Sequence, residues 1–354
     1  MSGLSNARVI VAGAGAFGSA IALRLVQSGV RVTLIDPDLG MGRNASAVAA
    51  GMLAPAFESV LDPETNLPFS MLCAARDLWP AFADRIGREI GLVRSGAAWI
   101  DLPGLEPRAE AMRVSLEALG ARIAAPPSVT LVGLQAVFTP EDWRLSPAEA
   151  LPAMLGAFRA AGGTAVRGAL AAIEVGGAVL SDGGRIVADR IVLATGAGGR
   201  GLAPELSTLS PIKGQLVGFP DLVPPAGAPI LRCQGGYATG GEDGLCVGAT
   251  MEAGASDLMA DPAVIERLHA LAARLYPAAR DLEPIPAVGV RAASPDGRPL
   301  VGPSVAEGVL LAVGARRNGW LLAPLVAEII AAYLAQGDPG PYAEVLAPAR
   351  FAAA

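Results

Sequence analysis

The order of apolar and polar positions predicts a strand–helix–strand unit near the start of the chain. Residues 8–12, with the sequence RVIVA, form a short apolar run that is typical of a buried strand. The residues that follow carry apolar side chains at helical spacing up to Gly29, which ends the helix. Residues 30–35 predict a second strand, which leads directly to Asp36. The two strands are therefore expected to be neighbours joined by a helix.

Further along, helical and strand-like patterns alternate without a repeat or a break in composition. They predict helical segments at 68–90, 145–162, 262–276 and 320–334, strands at 190–196 and 309–313, a mixture of helix and loop at 104–144, and several strand-like pieces at 212–250. Within 171–187, two glycine-centred turns separate three short strands, which is typical of an antiparallel meander. These elements predict an α/β fold whose two domains are interleaved along the chain.

Composition and charge argue against several classes of protein. The 354 residues are enough for two domains, and 52% of them are hydrophobic while only 17% are charged. A net charge of −6 without a basic patch argues against nucleic-acid binding. The cysteines Cys73, Cys233 and Cys246 show no metal-ligand spacing, so we expect no metal and a reducing compartment. Because no signal-like segment precedes the first strand and the run at 320–334 is too short to span a membrane, we predict a cytoplasmic protein without membrane contact.

The loop between the first strand and the first helix carries the pattern of a dinucleotide site. Gly13 allows a tight turn, Gly15 allows the backbone to approach a pyrophosphate, and Gly18 allows the helix to pack closely on the strand. The helix N-terminus favours phosphate charge, and Asp36 can accept hydrogen bonds from ribose hydroxyls. The loop predicts a dinucleotide cofactor but does not distinguish NAD from FAD.

Two later segments favour FAD. Residues 43–53 are rich in small side chains, as expected of backbone that wraps a large flat ligand, although the start of an alanine-rich helix would look similar. The strand within 191–199 ends in a glycine-rich turn that can close over the same cofactor. A domain that binds only a nicotinamide dinucleotide also needs no later chain segment, near residue 315, that faces the cofactor.

Arg316 and Arg317 stand side by side between an apolar strand and an apolar helix. A buried charge is costly unless something pairs it. Either the two side chains reach solvent or they bind an anion. The helix that follows contains Pro324, which we expect to lie in its first turn, where proline is tolerated.

Six segments occur in an order that resembles glycine oxidases of the D-amino-acid-oxidase-like FAD-dependent oxidoreductase family: GAGAFGSAIALRL, SAVAAGMLAP, PIKGQ, GATME, GVRAASPDGRPLVG and RNGWLLAP. The resemblance covers nearly the whole chain, and bacterial members are linked to thiamine synthesis. It implies an FAD-binding Rossmann-like domain of the glutathione-reductase type with an interleaved substrate domain built on a mixed antiparallel sheet. We place the FAD-binding domain at 1–80, 145–205 and 288–354, and the substrate domain at 81–144 and 206–287.

The resemblance implies oxidation of glycine or another small amine that carries a carboxylate, with hydride transfer to flavin N5. The imino acid would give glyoxylate or another 2-oxo acid plus ammonia, or supply thiamine thiazole synthesis, and molecular oxygen would become hydrogen peroxide. A neutral amine needs no protein base, and the single histidine, His269, is expected at the surface or an interface of an amphipathic helix. No cysteine lies in 314–320, so FAD is expected to be non-covalent. A homo-oligomer is left open.

The resemblance also assigns site residues. It places Arg291 and Arg317 at the substrate carboxylate, and Tyr237 and Met251 at the wall of the substrate pocket. The cofactor-binding residues that it implies are Gly13, Gly15, Ala16, Phe17, Gly18, Asp36, Pro37, Ala45, Ser46, Ala50, Gly51, Met52, Leu170, Thr195, Gly196, Gly314, Ala315, Arg316, Arg317, Asn318, Gly319, Trp320 and Leu321. Core packing is the alternative for Tyr237 and Met251, and an ion pair with Asp296 is the alternative for Arg291.

The chain departs from the family pattern near the expected site. Ala315-Arg316 replaces a His-Phe pair, Tyr237 is followed by Ala-Thr-Gly-Gly without Pro-Arg, and small residues replace an aromatic at 197–199. If Arg316 enters the pocket, the substrate is expected to carry a second acidic group; otherwise this side chain faces solvent or the cofactor. Two other functions stay open: a D-amino-acid or secondary-amine dehydrogenase with an acceptor other than oxygen, and a non-catalytic or tRNA-modification flavoprotein module.

Overall fold

The computed structural model describes residues 7–39, 42, 44–126 and 135–351, so predictions that concern 1–6, 40, 41, Arg43, 127–134 or 352–354 lie outside the described residues. The helices are α1 (Ala16–Val26), α2 (Pro55–Leu61), α3 (Phe69–Asp77), α4 (Trp79–Ile86), α5 (Ala109–Ala118), α6 (Pro147–Ala160), α7 (Pro262–Leu275), α8 (Gly319–Leu334) and α9 (Ala343–Leu346). The strands are β1 (Arg8–Ala12), β2 (Arg31–Asp36), β3 (Met52–Leu53), β4 (Ala97–Ile100), β5 (Ala136–Thr139), β6 (Trp143–Arg144), β7 (Thr164–Arg167), β8 (Leu170–Glu174), β9 (Gly177–Leu180), β10 (Arg185–Val187), β11 (Arg190–Leu193), β12 (Ser210–Phe219), β13 (Ile230–Cys233), β14 (Gly236–Gly241), β15 (Gly244–Gly248), β16 (Glu252–Ala253), β17 (Ile285–Ala293), β18 (Leu300–Pro303) and β19 (Val309–Val313).

A six-stranded sheet contains the predicted strand–helix–strand unit, in the order β18-β19-β11-β1-β2-β7. Its strands are parallel except for β18, which runs antiparallel to β19. Helices α1, α6 and α8 belong to the apolar cluster on one face, while the three-stranded antiparallel sheet β10-β9-β8 packs into the apolar cluster on the other. The predicted unit β1-α1-β2 and the predicted meander are confirmed.

A second sheet of eight strands is mixed. Its order is β16-β12-β15-β14-β13-β4-β5, with β17 paired to β12, and all its neighbours are antiparallel except β13 and β4. Helix α7 packs on this sheet through apolar side chains such as Leu268 and Leu271. Strand β17 pairs with β12 from Ile285 to Ala293, so the predicted domain boundary at residue 288 falls within a continuous strand pair. The domain division stays a prediction.

The predicted helical segment at 68–90 is two helices, α3 and α4. Pro80 lies in the first turn of α4 and has no N–H to donate to the carbonyl of Arg76, so a single continuous helix would lose a hydrogen bond there. The pattern of apolar and polar positions did not predict strand β4, which has the wholly apolar sequence AAWI. A short apolar run of this kind is ambiguous between strand and helix until its neighbours are known.

Pro324 lies inside α8, beyond the first turn in which it was expected, because the helix begins at Gly319. A proline at this position leaves the carbonyl oxygen of Trp320 without its helical donor. The indole Nε1–H of Trp79 donates to that oxygen at 3.0 Å. The Trp79 side chain therefore replaces the missing donor and joins α4 to α8.

The described part of the chain contains no helix that is both long and apolar enough to cross a membrane. In the same residues no group of His, Cys, Asp and Glu side chains is arranged to hold a metal ion. Cys73, Cys233 and Cys246 are free thiols.

We predict opposite effects on stability for two glycine-to-alanine substitutions in helices. A Cβ at Gly18 in α1 would lie 1.8 Å from the carbonyl oxygen of Gly13, so Gly18→Ala should lower the free energy of unfolding by about 1–3 kcal/mol. A Cβ at Gly156 in α6 meets no atom within 4 Å, so Gly156→Ala should raise it by about 0.4–1 kcal/mol. Denaturant unfolding of both variants measures the difference, and equal effects would contradict the close packing of α1 on the glycine loop.

Candidate active site

Two cavities adjoin where the two large sheets meet. The larger cavity, of about 830 Å³, lies at the carboxyl ends of the parallel strands β1, β2, β11 and β19, which is where open α/β sheets bind ligands. The smaller cavity, of about 330 Å³, is lined by strands and loops of the eight-stranded sheet, by α2 and by the segments 49–52 and 317–320. Ala49, Arg291, Arg317 and Trp320 line both cavities. Both volumes lie within the range of about 300–1,000 Å³ that small-molecule sites occupy.

The glycine loop forms one end of the larger cavity. Gly13 has a φ of +105°, and a Cβ there would lie 2.3 Å from the carbonyl oxygen of Ala194. Gly15 is the N-cap of α1 and lines the cavity, where the only atoms near an added Cβ belong to the Ser46 side chain. Backbone that is free of side chains at a helix N-terminus fits a pyrophosphate, because its N–H groups and the helix dipole favour negative charge.

Asp36 and Ser46 complete this end of the cavity. The buried carboxylate of Asp36 accepts hydrogen bonds from the backbone N–H groups of Ala14 at 2.8 Å and Asp38 at 3.0 Å. The hydroxyl of Ser46 accepts from the N–H of Ala16 at 2.9 Å. Because both side chains hold loop backbone and line the cavity, they fit the ribose and pyrophosphate end of a dinucleotide.

The other end of the larger cavity is the start of α8. Gly319 is the first residue of this helix and lines the cavity, and the indole Nε1–H of Trp320 donates to the carbonyl oxygen of Ser46 at 3.0 Å. The helix N-terminus thereby lies against the segment that carries Ser46. Its positive dipole end can stabilise negative charge that develops on a ring system next to it.

The predicted cofactor residues fall into three groups. Those that line the larger cavity are Gly13, Gly15, Ala16, Phe17, Asp36, Ala45, Ser46, Thr195, Gly196, Gly314, Ala315, Arg316, Arg317, Gly319 and Trp320. Ala50, Gly51, Met52 and Asn318 line the smaller cavity instead. Gly18, Pro37, Leu170 and Leu321 line neither: Gly18 packs behind the loop, Pro37 is exposed, Leu170 belongs to the three-stranded sheet, and Leu321 is buried in the core.

The tandem arginines are paired with two carboxylates of α2 and its C-cap. Arg317 approaches Glu58 with two nitrogens, Nε to Oε2 at 2.9 Å and Nη2 to Oε1 at 3.1 Å. Arg316 has a φ of +50° and directs Nη2 to Oδ1 of Asp62 at 3.2 Å. We expected the two arginine side chains either to reach solvent or to bind an anion. In the structure, carboxylates of the protein itself pair with them.

Glu58 is shared with a second buried arginine. Arg232, on β13, is only 2% exposed and donates from Nη2 to Oε1 of Glu58 at 2.8 Å. Burial acts to raise the pKa of Glu58, but Arg317 and Arg232 outweigh it and hold that pKa below its ordinary value. Glu58 is therefore ionised at neutral pH.

Arg291 lies on β17 and lines both cavities. Its Nη1 donates to the carbonyl oxygen of Thr250 at 3.1 Å and lies 3.2 Å from the sulfur of Met251. The alternative partner, Asp296, instead receives hydrogen bonds from Arg350 at 2.8 and 3.0 Å. Burial is the main cause of the lowered pKa of Arg291.

Tyr237 and Met251 also line the smaller cavity. Burial raises the pKa of the Tyr237 phenol, so its hydroxyl stays protonated and can donate a hydrogen bond. Met251 is 38% exposed, which does not fit the alternative of core packing. The structure therefore brings Arg291, Arg317, Tyr237 and Met251 to one cavity next to the larger one.

A family model described as FAD dependent oxidoreductase, with the short name DAO, matches residues 8–333 of the chain. The chain belongs to this family. The match covers the glycine loop, both cavities and almost all of α8.

Individual relatives agree with the family. The oxidoreductase is 31% identical to a glycine oxidase from Pseudomonas aeruginosa over 95% of this chain and 98% of that protein. It is 30% identical to a bifunctional protein ThiO/ThiG from Trichormus variabilis, over 94% of this chain but only 53% of that protein. Among solved structures, an iminodiacetate oxidase from Chelativorans sp. BNC1 superimposes with a TM-score of 0.82 at 22% identity, covering 96% of this chain and 99% of that one, which shows a shared fold.

These comparisons confirm several predictions. This FAD-dependent oxidoreductase has the predicted α/β fold class, FAD as its cofactor, and the resemblance to glycine oxidases. It is an enzyme of the FAD-dependent amino-acid oxidase type. The individual roles of its site residues stay predictions.

Four residues that line the smaller cavity or pair with its arginines were not predicted from the sequence of this oxidoreductase: Glu58, Asp62, Arg232 and Arg108. Glu58 lies in α2 and Asp62 is the C-cap of that helix, four residues further along a mostly apolar segment, and two acids at this spacing were a usable signal. Arg232 and Arg108 gave no comparable signal, because only the assembled sheet brings β13 and the start of α5 to the cavity.

We predict that removing the Glu58 charge is strongly destabilising. Glu58→Gln leaves Arg232 and Arg317 without their shared carboxylate, which should cost about 3–5 kcal/mol. Glu328→Gln is the matched control, because that carboxylate meets Arg24 and Arg85 at the surface and contributes about 0–1 kcal/mol. Denaturant unfolding of the FAD-loaded protein measures both.

The same experiment has an expected pH dependence. The pKa of Glu58 is lower in the folded protein than in the unfolded chain, so its stabilising effect is present above the unfolded pKa and is lost as pH falls through the folded pKa. The difference between the parent and Glu58→Gln should therefore shrink in acid. Equal stability of the two proteins at neutral pH would show that the buried pairing is not needed.

Proposed function

We propose that this protein oxidises the Cα–N bond of a small amino acid or amine that carries a carboxylate, with glycine as the simplest candidate. The observation that carries the proposal is the position of Arg291, which lines both the FAD cavity and the smaller cavity next to it. A cation at this junction would hold a substrate carboxylate beside the flavin end of the cofactor.

Arg291 is a better principal anchor than Arg317. Arg317 uses Nε and Nη2 to meet Glu58, so its charge is already balanced within the protein. The contacts of Arg291 are a carbonyl oxygen and a thioether, both neutral, and they involve only Nη1. A planar guanidinium with a charge that is not balanced by a carboxylate contact is suited to bidentate carboxylate binding. Arg317 is then a supporting cation.

Bound FAD supplies the hydride acceptor, flavin N5, and the route by which electrons reach the final acceptor. The chain's own residues have to orient the substrate and keep water out. Arg291 fixes the carboxylate, the protonated hydroxyl of Tyr237 can donate to the same group or to the amine, and Met251 provides an apolar wall. Transfer of hydride from the α-carbon of a neutral amine needs no protein base, and no histidine lies among the described residues that line either cavity.

The products follow from the same chemistry. The substrate loses a hydride from Cα and a proton from nitrogen and becomes an imino acid, which water converts to a 2-oxo acid and ammonia. With glycine the 2-oxo acid is glyoxylate, and with molecular oxygen as acceptor the second product is hydrogen peroxide. The 30% identity to a ThiO/ThiG protein supports a role of the imine in thiamine thiazole synthesis.

Anaerobic bleaching of the flavin tests the proposal. Glycine, sarcosine, D-alanine, D-proline and dicarboxylic amino acids are added in turn to the FAD-loaded protein without oxygen. Bleaching by at least one of them, with hydrogen peroxide released when oxygen is admitted, supports the oxidase. Bleaching without peroxide supports the D-amino-acid or secondary-amine dehydrogenase, and FAD that no small amine bleaches supports a non-catalytic or tRNA-modification module.

We predict that Arg291→Ala lowers kcat/KM for the preferred amine by roughly two to three orders of magnitude while FAD stays bound, because a buried charged partner of the substrate is lost. Arg291→Lys should recover only part of the loss, since lysine lacks the planar fork. His269→Ala is the control: this side chain lies on α7 with Nε2 2.9 Å from the carbonyl oxygen of Ala279, and its loss should leave turnover unchanged. Unchanged kcat/KM in Arg291→Ala would remove its anchoring role.

A further inference from the structure

The lining of the smaller cavity carries more positive charge than one substrate carboxylate would balance. Its described lining residues include four arginines, Arg108, Arg232, Arg291 and Arg317, and a single carboxylate, Glu58. Glu58 contacts both Arg232 and Arg317, so one negative charge serves two guanidinium groups. The ionisable lining residues therefore carry three net positive charges.

Arg108 also lines this cavity, and among the described residues its positive charge has only a weak ion-pair partner. Its backbone N–H donates to Oδ1 of Asp101 at 2.8 Å, and the same oxygen accepts from Nε1 of Trp99 at 3.2 Å, which fixes the loop before α5 against β4. Its guanidinium group is 3.9 Å from Glu106 at the surface. An exposed pair at that distance contributes little, so the side chain is available to an anion.

The electrostatics around Arg291 point in the same direction. Burial is the largest cause of its lowered pKa, and the charges of Arg317 and Arg316 act with burial, while Tyr237 and Glu58 act against it. From the sequence, Arg316 was the candidate for binding a second acidic group of the substrate. In the structure Arg316 lines only the larger cavity and pairs with Asp62, so another residue has to bind that group. A substrate with one carboxylate would neutralise Arg291 and leave Arg108 with only its exposed pair at 3.9 Å from Glu106.

The size of the cavity also exceeds what glycine needs. Glycine has five non-hydrogen atoms, which at about 30 Å³ for each water-sized group take up roughly 150 Å³. The smaller cavity measures about 330 Å³. Space and charge together therefore favour a larger and more anionic substrate.

We propose that the smaller cavity is specific for an amino acid or secondary amine with two carboxylates. Arg291 holds the carboxylate next to the oxidised carbon, and Arg108 holds the second one. This inference rests on the proposed amine oxidation and leaves its redox step unchanged. It adds Arg108 as a residue that determines specificity.

The first test compares monocarboxylates with dicarboxylates on the FAD-loaded protein. The substrates are glycine and D-alanine on one side, and iminodiacetate and D-aspartate on the other. We expect at least one dicarboxylate to have a kcat/KM more than about tenfold above both monocarboxylates, because it gains a charge-assisted hydrogen bond. A direct binding measurement accompanies it: malonate should raise Tm more than acetate does at equal ionic strength.

Variants at position 108 test the residue. Arg108→Ala should lower kcat/KM for the preferred dicarboxylate by about ten- to hundredfold and change that for glycine little, and Arg108→Lys should recover part of it. The extra stabilisation by malonate should disappear as well. Arg113→Ala is the matched control, since Arg113 lies on α5 and pairs with Glu110 and Glu117 at the surface. It should change neither measurement.

The outcomes separate this inference from the proposed function. If glycine bleaches the flavin and is oxidised as efficiently as the dicarboxylates, with no effect of Arg108→Ala, the inference is wrong and the proposed function stands. If no amine bleaches the flavin but malonate stabilises the parent and not Arg108→Ala, the proposed function is wrong and the anion site stands. If malonate and acetate act alike, no dicarboxylate site exists in this cavity.

Discussion

The buried carboxylate of Glu58 is the interaction on which the site depends, because it joins three separate parts of the chain. Arg232 reaches it from β13 of the eight-stranded sheet, and Arg317 reaches it from the turn between β19 and α8. A buried ion network is weak evidence for stability, because desolvation opposes the attraction between the charges. Its geometric effect is clear: α2 cannot move away from either arginine without leaving a buried charge unpaired. The smaller cavity therefore keeps its shape where the two sheets meet.

The helix that carries Glu58 is itself held by another buried carboxylate. Asp142 accepts hydrogen bonds from the backbone N–H groups of Ala56 at 2.8 Å and Phe57 at 3.2 Å, at the start of α2. Burial raises the pKa of Asp142 to about 6 even though these N–H groups favour its charged form. The position of Glu58 is thus determined by backbone hydrogen bonds at one end of a short helix as well as by its own ion pairs. A helix of seven residues would be marginal without such tertiary contacts.

The cofactor half of the molecule was predictable from the sequence because its requirements are local. A turn at Gly13, close packing at Gly18 and an acid at the end of β2 follow each other within one strand–helix–strand unit, and each has a fixed spacing. The charge pairing in the substrate half was not predictable, because it depends on contacts between distant segments. Arg317 and Glu58 are 259 residues apart, and neither residue's neighbours in the sequence indicate the pairing. The resemblance to a family located Arg291 and Arg317 but gave no account of the carboxylates that already meet one of them.

The pairing of the tandem arginines also decides which cations remain for a ligand. Asp62 pairs with Arg316 and Glu58 pairs with Arg317, so two adjacent positive charges meet two carboxylates, one in α2 and one at its C-cap. Strand β17 brings Arg291 to the same junction, but no described carboxylate lies within ion-pair distance of it. Charge alone would have favoured all three arginines equally as anion sites. Because Arg316 and Arg317 already meet carboxylates of the protein, Arg291 is the arginine whose burial a bound carboxylate would balance best. Helix α2 and its C-cap supply the two carboxylates that make this difference.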